Sequence, residues 1–337
     1  MIIVFAPLRA ALCAVTVSLV FAVATPGLAQ KQPSVDPSAQ VPTEQRLLQE
    51  SGKVQGEISI PDKRESVLIH PAGREWRLFH EVWLRWIGAI VVLGTILLLT
   101  AFYLWRGTVR LESGSSGRKI LRFTAFERFV HWMTAVSFIT LGITGLNITF
   151  GKPLLLPLIG HDAFAAWSQW AKYAHNYVSF PFVVGIVLIF LMWLPGNIPN
   201  RVDLEWLKRG GGMLWPDHPP AYRFNAGQKA IYWSVVMAGM AMAGTGYLLM
   251  LPFFGTGIDT METTEMVHGI IAMLFTALIF AHIYIGTIGM EGAFEAMGTG
   301  CVDLNWAKEH HSLWLEEEEA HGGPVDCQPQ PTASPAE

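Results

Sequence analysis

Five stretches of mainly apolar residues, each more than twenty residues long, constrain this chain more than any other feature of its sequence. They span residues 82–105, 125–150, 173–195, 229–251 and 266–290. A helix needs about 20 apolar residues to cross the hydrocarbon core of a bilayer. Only 15% of the residues are charged, against roughly a quarter in an ordinary soluble domain. The sequence therefore predicts an all-α membrane protein with five transmembrane helices.

The chain before the first apolar stretch has two parts. Residues 1–29 contain Arg9, an apolar run and small residues ahead of Gln30, a pattern typical of a cleaved signal peptide. An uncleaved membrane helix is the alternative. Residues 30–81 are rich in Gln, Pro, Ser and charged residues and show no sustained period, which predicts a partly disordered extracytoplasmic arm.

Basic residues are distributed unevenly between the connecting loops. Five Lys or Arg residues lie in loop 106–124 and four in loop 196–228, whereas residues 252–265 contain none. The positive-inside rule therefore places both basic loops and the tail 291–337 in the cytoplasm, with the mature N-terminus outside. We expect a multi-pass protein of a bacterial inner membrane. The scattering of basic residues over short loops argues against a nucleic-acid partner.

Three cysteines are present, and none is spaced as CxxC. This excludes a cysteine-ligated iron–sulfur cluster and a CxxCH-attached haem within the chain.

Four of the eleven histidines lie in or at the ends of the apolar stretches, where an ionisable side chain is costly and usually marks a function. His268 and His282 are fourteen residues apart, so on one helix they face nearly the same side at a separation of about 21 Å. The predicted orientation puts His131 at the depth of His282, on the inner side. It puts His175, which opens the third stretch, at the depth of His268, on the outer side.

Two pairs of imidazoles at two depths suit two haems b, one ligated by each pair. Zinc suits them less well, because no cysteine or carboxylate converges with these histidines. A proton relay needs no matched pairs, and a haem-free transporter or assembly anchor is the alternative from another class. The remaining histidines are expected on the solvated surface; they are His70, His80, His161, His218, His310, His311 and His321.

A polar stretch leads into the fourth apolar segment from the cytoplasmic side. Asn225 followed by Gln228 has the spacing of a helix capping box. The same amides, together with the backbone at Gly227, would also suit hydrogen bonding to a quinone head group at the depth of the inner histidine pair. A cap and a binding site are compatible roles for these residues.

Over about residues 120–315 the chain resembles the cytochrome b (gamma) subunit of membrane-bound respiratory formate dehydrogenase. The resemblance is carried by residues 126–132 (FERFVHW), 174–175 (AH), 197–206 (NIPNRVDLEW), 222–229 (YRFNAGQK), 267–269 (VHG), 281–284 (AHIY) and 306–311 (WAKEHH). The stretch NAGQK and the fourteen-residue histidine spacing are its most specific parts. Relative to the short form of that family, this chain adds the signal, the arm and the first span at 82–105.

The resemblance implies a four-helix core at residues 125–290 that holds two haems b, each ligated by two histidines. His131 and His282 are then the ligands of the inner haem, and His175 and His268 those of the outer haem. The implied quinone site lies beside the inner haem, at Asn225, Gly227, Gln228 and His282.

The implied partners are a pterin-molybdenum or pterin-tungsten catalytic subunit and an iron–sulfur subunit. Electrons from formate would pass through the iron–sulfur centres to the outer haem, then to the inner haem and to quinone. This chain would thus transfer electrons and reduce quinone without itself oxidising formate. The di-haem cytochrome b of a membrane-bound hydrogenase or thiosulfate reductase shares the histidine pattern and differs in its electron donor.

Overall fold

The computed structural model describes residues 55–57, 67–69, 73–214, 217–251 and 257–327. The predicted signal peptide, most of the predicted arm and His70 lie outside these residues. Within the arm, β1 (Gln55–Glu57) pairs antiparallel with β2 (Val67–Ile69). The short helix α1 (Gly73–Leu78) then runs through a π-helical turn at Phe79–Trp83 directly into the first long helix.

The helices that follow, in chain order, are α2 (Leu84–Arg106), α3 (Ala125–Leu154), α4 (Leu156–Ile159), α5 (His161–Trp193), α6 (Arg201–Lys208), α7 (Ala226–Met250) and α8 (Ile258–Tyr284). Short 3-10 turns follow α5 at Pro195–Asn197 and α6 at Gly210–Gly212, and a π-helical turn follows α8 at Ile285–Gly289. Helices α2, α3, α5, α7 and α8 are long and apolar enough to cross a membrane. The expected class of an all-α membrane protein is therefore confirmed.

Three of these helices begin earlier than their apolar stretches, α7 by a few residues and two others by more. Helix α5 starts at His161 rather than at residue 173, and α8 starts at Ile258 rather than at residue 266. Polar residues continue each helix past the point where its sequence stops being apolar. The 33 residues of α5 measure about 50 Å, more than the hydrocarbon core of about 30 Å, so its first turns project from the bilayer. His175 consequently lies well inside the helix, although it is near the start of the apolar stretch.

Four of the long helices form the bundle: α3 packs along α5, α5 along α7, and α7 along α8, while α2 packs along α8. Glycines allow the close approach of α2. Leu84 occupies the place where Gly269 would carry a Cβ, and Gly88 lies against Met273. The additional helix is therefore fitted to the bundle.

One end of the bundle is closed by a small folded unit, which we call the cap. It contains β3 (Lys119–Leu121), α9 (Ala293–Gly298), β4 (Cys301–Asp303), α10 (Leu304–His310) and α11 (Ser312–Ala320). Strands β3 and β4 pair antiparallel, and a disulfide between Cys301 and Cys327 holds the last described residues against them. We call this end of the bundle the cap end and the opposite end the loop end.

Candidate functional site

The structure brings together the two histidine pairs predicted from their depths. The ring centroids of His131 and His282 are 6.1 Å apart near the cap end, and those of His175 and His268 are 6.3 Å apart towards the loop end. Such separations suit two imidazoles on opposite sides of one metal ion, because each metal–nitrogen bond is about 2 Å long and each ring adds its own radius. Helix α8 contributes one histidine to each pair and so sets the distance between them.

A threonine hydroxyl holds each ring of the loop-end pair. Thr144 Oγ1 is 2.8 Å from His175 Nδ1, and Thr245 Oγ1 is 2.8 Å from His268 Nδ1. Each hydroxyl also donates to the backbone carbonyl four residues earlier, at 2.8 and 2.7 Å. A hydroxyl has one hydrogen, so each imidazole Nδ1–H donates to its threonine. This tautomer leaves the Nε2 lone pair free to ligate a metal.

The cap-end pair is held differently. His131 Nδ1 is buried and has no hydrogen-bond partner among the residues that the structure describes. His131 is flanked instead by Trp132, whose ring meets the imidazole edge-on at 5.3 Å between centroids. The ring of His131 is thus oriented by packing against aromatic neighbours, without a polar contact to its second nitrogen.

Within the described residues, no group of three or more His, Cys, Asp or Glu side chains is placed to hold a metal ion. Two isolated histidine pairs suit an iron whose remaining ligands come from a macrocycle, as in a haem. Zinc would require further ligands from the protein. The donor set therefore fits haem.

A buried polar network lies in the cap, next to the segment that leads into α7. Arg122 is 3% exposed and His311 is 1% exposed. His311 Nδ1–H donates to the Tyr222 carbonyl at 2.7 Å, and His311 Nε2 accepts from Arg122 Nη2 at 3.0 Å. The same Arg122 nitrogen donates to the Arg223 carbonyl at 2.6 Å. The tail is thus bonded directly to residues 222–223.

The charges in this network follow from its burial. Burial lowers the pKa of the Arg122 guanidinium to about 9, so it stays charged at neutral pH. Burial, and next the charge of Arg122, hold the pKa of His311 well below its ordinary value, so the ring is neutral. The prediction that His311 is a surface histidine is therefore wrong, because the tail folds back and encloses it.

Aromatic rings and one carboxylate complete the network. The Arg122 guanidinium lies over the rings of Phe123, Trp306 and Trp314, at 5.3, 5.1 and 5.0 Å from their centroids. Arg223 Nη2 donates to Glu127 at 2.8 Å. Because Glu127 lies one turn before His131 on α3, the network reaches from the tail to the cap-end pair.

The predicted quinone residues form a complete capping box at the start of α7. Gln228 N donates to Asn225 Oδ1 at 2.9 Å, and Asn225 N donates to Gln228 Oε1 at 3.1 Å. The box uses the amide oxygens, and neither side-chain NH₂ group has an acceptor within the described part of the chain. Gly227 lies under the indole of Trp206, which would be 3.0 Å from a Cβ at that position.

These elements define a membrane cytochrome of the b type. The family model described as prokaryotic cytochrome b561 matches residues 122–300, and the chain belongs to this family. The family implies haem b as the cofactor.

Curated relatives narrow the comparison. The chain is 28% identical over 202 residues to "Formate dehydrogenase, cytochrome b556(fdo) subunit" of Escherichia coli (strain K12), covering 59% of this chain and 92% of the relative. It is 25% identical over 208 residues to the nitrate-inducible cytochrome b556(Fdn) subunit of the same strain, covering 60% and 93%. A formate dehydrogenase cytochrome b556 subunit of Haemophilus influenzae is 26% identical over 214 residues, covering 60% and 85%. The resemblance to this subunit type is confirmed.

Several residues around the site were missed by the sequence reasoning. Trp206 and His311 lie in segments that carry the family resemblance, and Arg122 lies in a basic loop, but their contacts with one another and with residues 222–227 join segments far apart in the chain and left no local pattern. The two threonines had a recognisable signal: the dipeptide Thr-Gly occurs at 144–145 and again at 245–246, once in each of two spans.

Proposed function

We propose that this chain is the membrane-anchoring cytochrome b subunit of a formate dehydrogenase, and that it holds two haems b and reduces quinone at the cap end. The observation that carries the proposal is the pairing of the four histidines into two contacts, each with its ring centroids about 6 Å apart. The similarity to formate dehydrogenase subunits over 85–93% of their length supports the choice of complex.

We assign His131 and His282 as ligands at the cap end, and His175 and His268 as ligands at the loop end. When bound, the haems supply one-electron relay between these two depths. The protein's own contribution is rigid placement. Helix α8 spaces its two histidines by about 21 Å, and the threonine hydroxyls fix the tautomer of the loop-end rings.

Quinone reduction is assigned to Asn225, Gly227, Gln228 and His282. The capping box leaves the amide NH₂ groups of Asn225 and Gln228 as donors for a quinone carbonyl. A lipid-soluble quinone also needs an apolar route to this place. Leu204 and Leu207 on α6 are 60% and 59% exposed, and they offer such a surface at the membrane interface.

The proposed partners are a pterin-molybdenum or pterin-tungsten catalytic subunit and an iron–sulfur subunit. The basic loops 106–124 and 196–228 both lie at the cap end, so the positive-inside rule places this end in the cytoplasm. Protons for quinone reduction would then enter from the cytoplasm, whereas electrons enter at the loop end. A hydrogenase or thiosulfate reductase complex would use the same histidine pairs with another donor.

Replacement of the histidines in the purified complex tests the assignment. His282→Ala should halve the haem content per chain and abolish quinone reduction, while dye-linked formate oxidation continues. His175→Ala should also remove one haem and block electron delivery to quinone. His161→Ala is the control, because this exposed histidine lies at the start of α5. Full haem content in both variants would refute the ligand assignment.

A further inference from the structure

The two histidines of the loop-end pair have the same neighbours on two different helices. His175 on α5 faces Thr144 and Gly145 of α3, and His268 on α8 faces Thr245 and Gly246 of α7. A Cβ placed on either glycine would lie 3.4 or 3.5 Å from the Cε1 atom of the facing ring. In each Thr-Gly dipeptide, the threonine hydroxyl therefore contacts Nδ1 of the imidazole, and the glycine leaves space beside Cε1.

The direction of these hydrogen bonds follows from the helices themselves. Thr144 Oγ1 is 2.8 Å from the Thr140 carbonyl, and Thr245 Oγ1 is 2.7 Å from the Ala241 carbonyl. With its one hydrogen committed to the helix backbone, each hydroxyl can only accept from the imidazole. Both rings are thereby held as the tautomer that presents Nε2 to the space between them.

We infer that Thr144 and Thr245 are positioning residues that orient the loop-end ligands and lower the reduction potential of the haem between them. The inference rests on the proposed ligand roles of His175 and His268. A ligating imidazole that donates its second N–H becomes more basic and stabilises the oxidised metal. Second-atom hydrogen bonding is among the means by which a protein sets haem potential.

The cap-end pair gives this effect a direction. His131 Nδ1 has no acceptor within the described residues, so its basicity is not raised in the same way. Two guanidinium charges, those of Arg122 and Arg223, lie in the cap with one carboxylate, Glu127, which is one turn from His131, so these three groups carry a single net positive charge. Both features favour the reduced form at the cap end. The loop-end haem then has the lower potential, and electron flow from the loop end to the cap end is energetically downhill.

Potentiometric titration of haem absorption in the purified complex tests the inference. Thr144→Val and Thr245→Val keep the shape of the side chain and remove the hydroxyl acceptor, and Thr144→Ser restores it. Because His175 also bonds to the Leu141 backbone, the shift should be larger in Thr245→Val than in Thr144→Val. The valine variants should retain two haems per chain and raise the lower midpoint potential. The oxidised-to-reduced ratio of that haem at a fixed potential should change threefold to tenfold, which corresponds to a shift of at most about 59 mV. The higher midpoint should not move. Thr140→Val is the matched control, since this hydroxyl, one turn earlier on α3, bonds to the Val136 carbonyl and to no other described group.

The serine variant separates hydrogen bonding from packing. We expect Thr144→Ser to titrate as the unmodified protein. If Thr144→Val loses one haem and Thr144→Ser keeps both, the inference is also supported, because serine returns only the hydroxyl. The inference is overturned if the valine variants titrate normally, or if serine and valine shift the potential equally. If His175→Ala keeps both haems, the ligand assignment itself fails, which is a separate result.

Discussion

The two histidine pairs lie in the same bundle, yet the surrounding protein holds them by different means. The loop-end pair is fixed by uncharged hydroxyls on neighbouring transmembrane helices, at 2.8 Å from each ring. The cap-end pair lies beside a charged network in which loop and tail residues are joined to Glu127 in the first turn of α3. The first site is therefore a property of the bundle alone. The second is coupled to the cap, so changes in the cap should affect only the cap-end pair and the proposed quinone site.

Replacing Arg122 should have the largest effect on the cap. Arg122→Met removes a charged donor to His311 and to the Arg223 carbonyl. Buried hydrogen bonds to charged groups contribute about 1.5–3 kcal/mol each. We therefore expect the free energy of unfolding of the cap to fall by about 3 kcal/mol or more. The measurement is the temperature at which each haem band bleaches, and the cap-end band should bleach first.

Arg118→Met is the matched control from the same loop. Its ion pair with Asp326 is exposed, so bleaching should be unchanged. Equal loss of both haem bands in Arg122→Met would show that the two sites are not independent.

Replacing Trp206 should have the next largest effect, which should be limited to the proposed quinone site. Its indole covers Gly227 between the capping-box residues, so we expect it to form one wall of the quinone site. Trp206→Ala should raise the quinone KM about tenfold, equivalent to ~1.4 kcal/mol, with both haems retained. Trp206→Phe should recover most of this affinity. The measurement is steady-state quinone kinetics, with Trp105→Ala as the control because Trp105 is 71% exposed. The same quinone KM in Trp206→Ala and Trp105→Ala would contradict the assignment.

The cap should also respond to pH while the loop end does not. Burial lowers the pKa of His310 to about 4, and that of His311 is likewise depressed. A histidine whose folded pKa lies below its unfolded value stabilises the fold above about pH 6.5 and loses that contribution as the pH falls towards 4. We expect the amide protection factors of residues 304–320, which are exchange rates divided by the intrinsic rate at the same pH, to be lower at pH 5 than at pH 7.5. His310→Gln should reduce this difference, and a similar loss of protection in the first half of α8 would contradict the prediction.

The Cys301–Cys327 pair tests the orientation, and its replacement should have the smallest effect. The structure joins these cysteines in a disulfide, whereas disulfides are rare in the cytoplasm. The proposed orientation therefore conflicts with this bond and predicts that both cysteines are thiols in growing cells. Cys301→Ser should leave haem content and quinone reduction unchanged. The measurement is rapid alkylation followed by mass analysis of residues 301–327. A fully oxidised pair would place the cap end in an oxidising compartment and exchange the inner and outer pairs.

The bundle was predictable from local sequence, and much of the site's surroundings was not. The length of the apolar spans was enough to predict the fold class. The basic loops and the spacing of His268 and His282 were enough to predict how the four histidines pair. The start of α5 was misplaced because helix formation does not end where apolar residues end. The burial of His311 was missed because it depends on Arg122, far away in the chain, and on the fold of the tail. Contacts of that kind leave no local pattern.

An absorption difference spectrum of the native complex, purified through this chain, tests the central claim most directly. Formate is added first, and dithionite then defines the total reducible haem. We predict two b-type haems per chain, both reduced by formate, with the lower-potential component absent when His175 or His268 is replaced. Reduction by dithionite alone would assign the chain to another electron donor, and the absence of any b-type band would contradict the account of both histidine pairs.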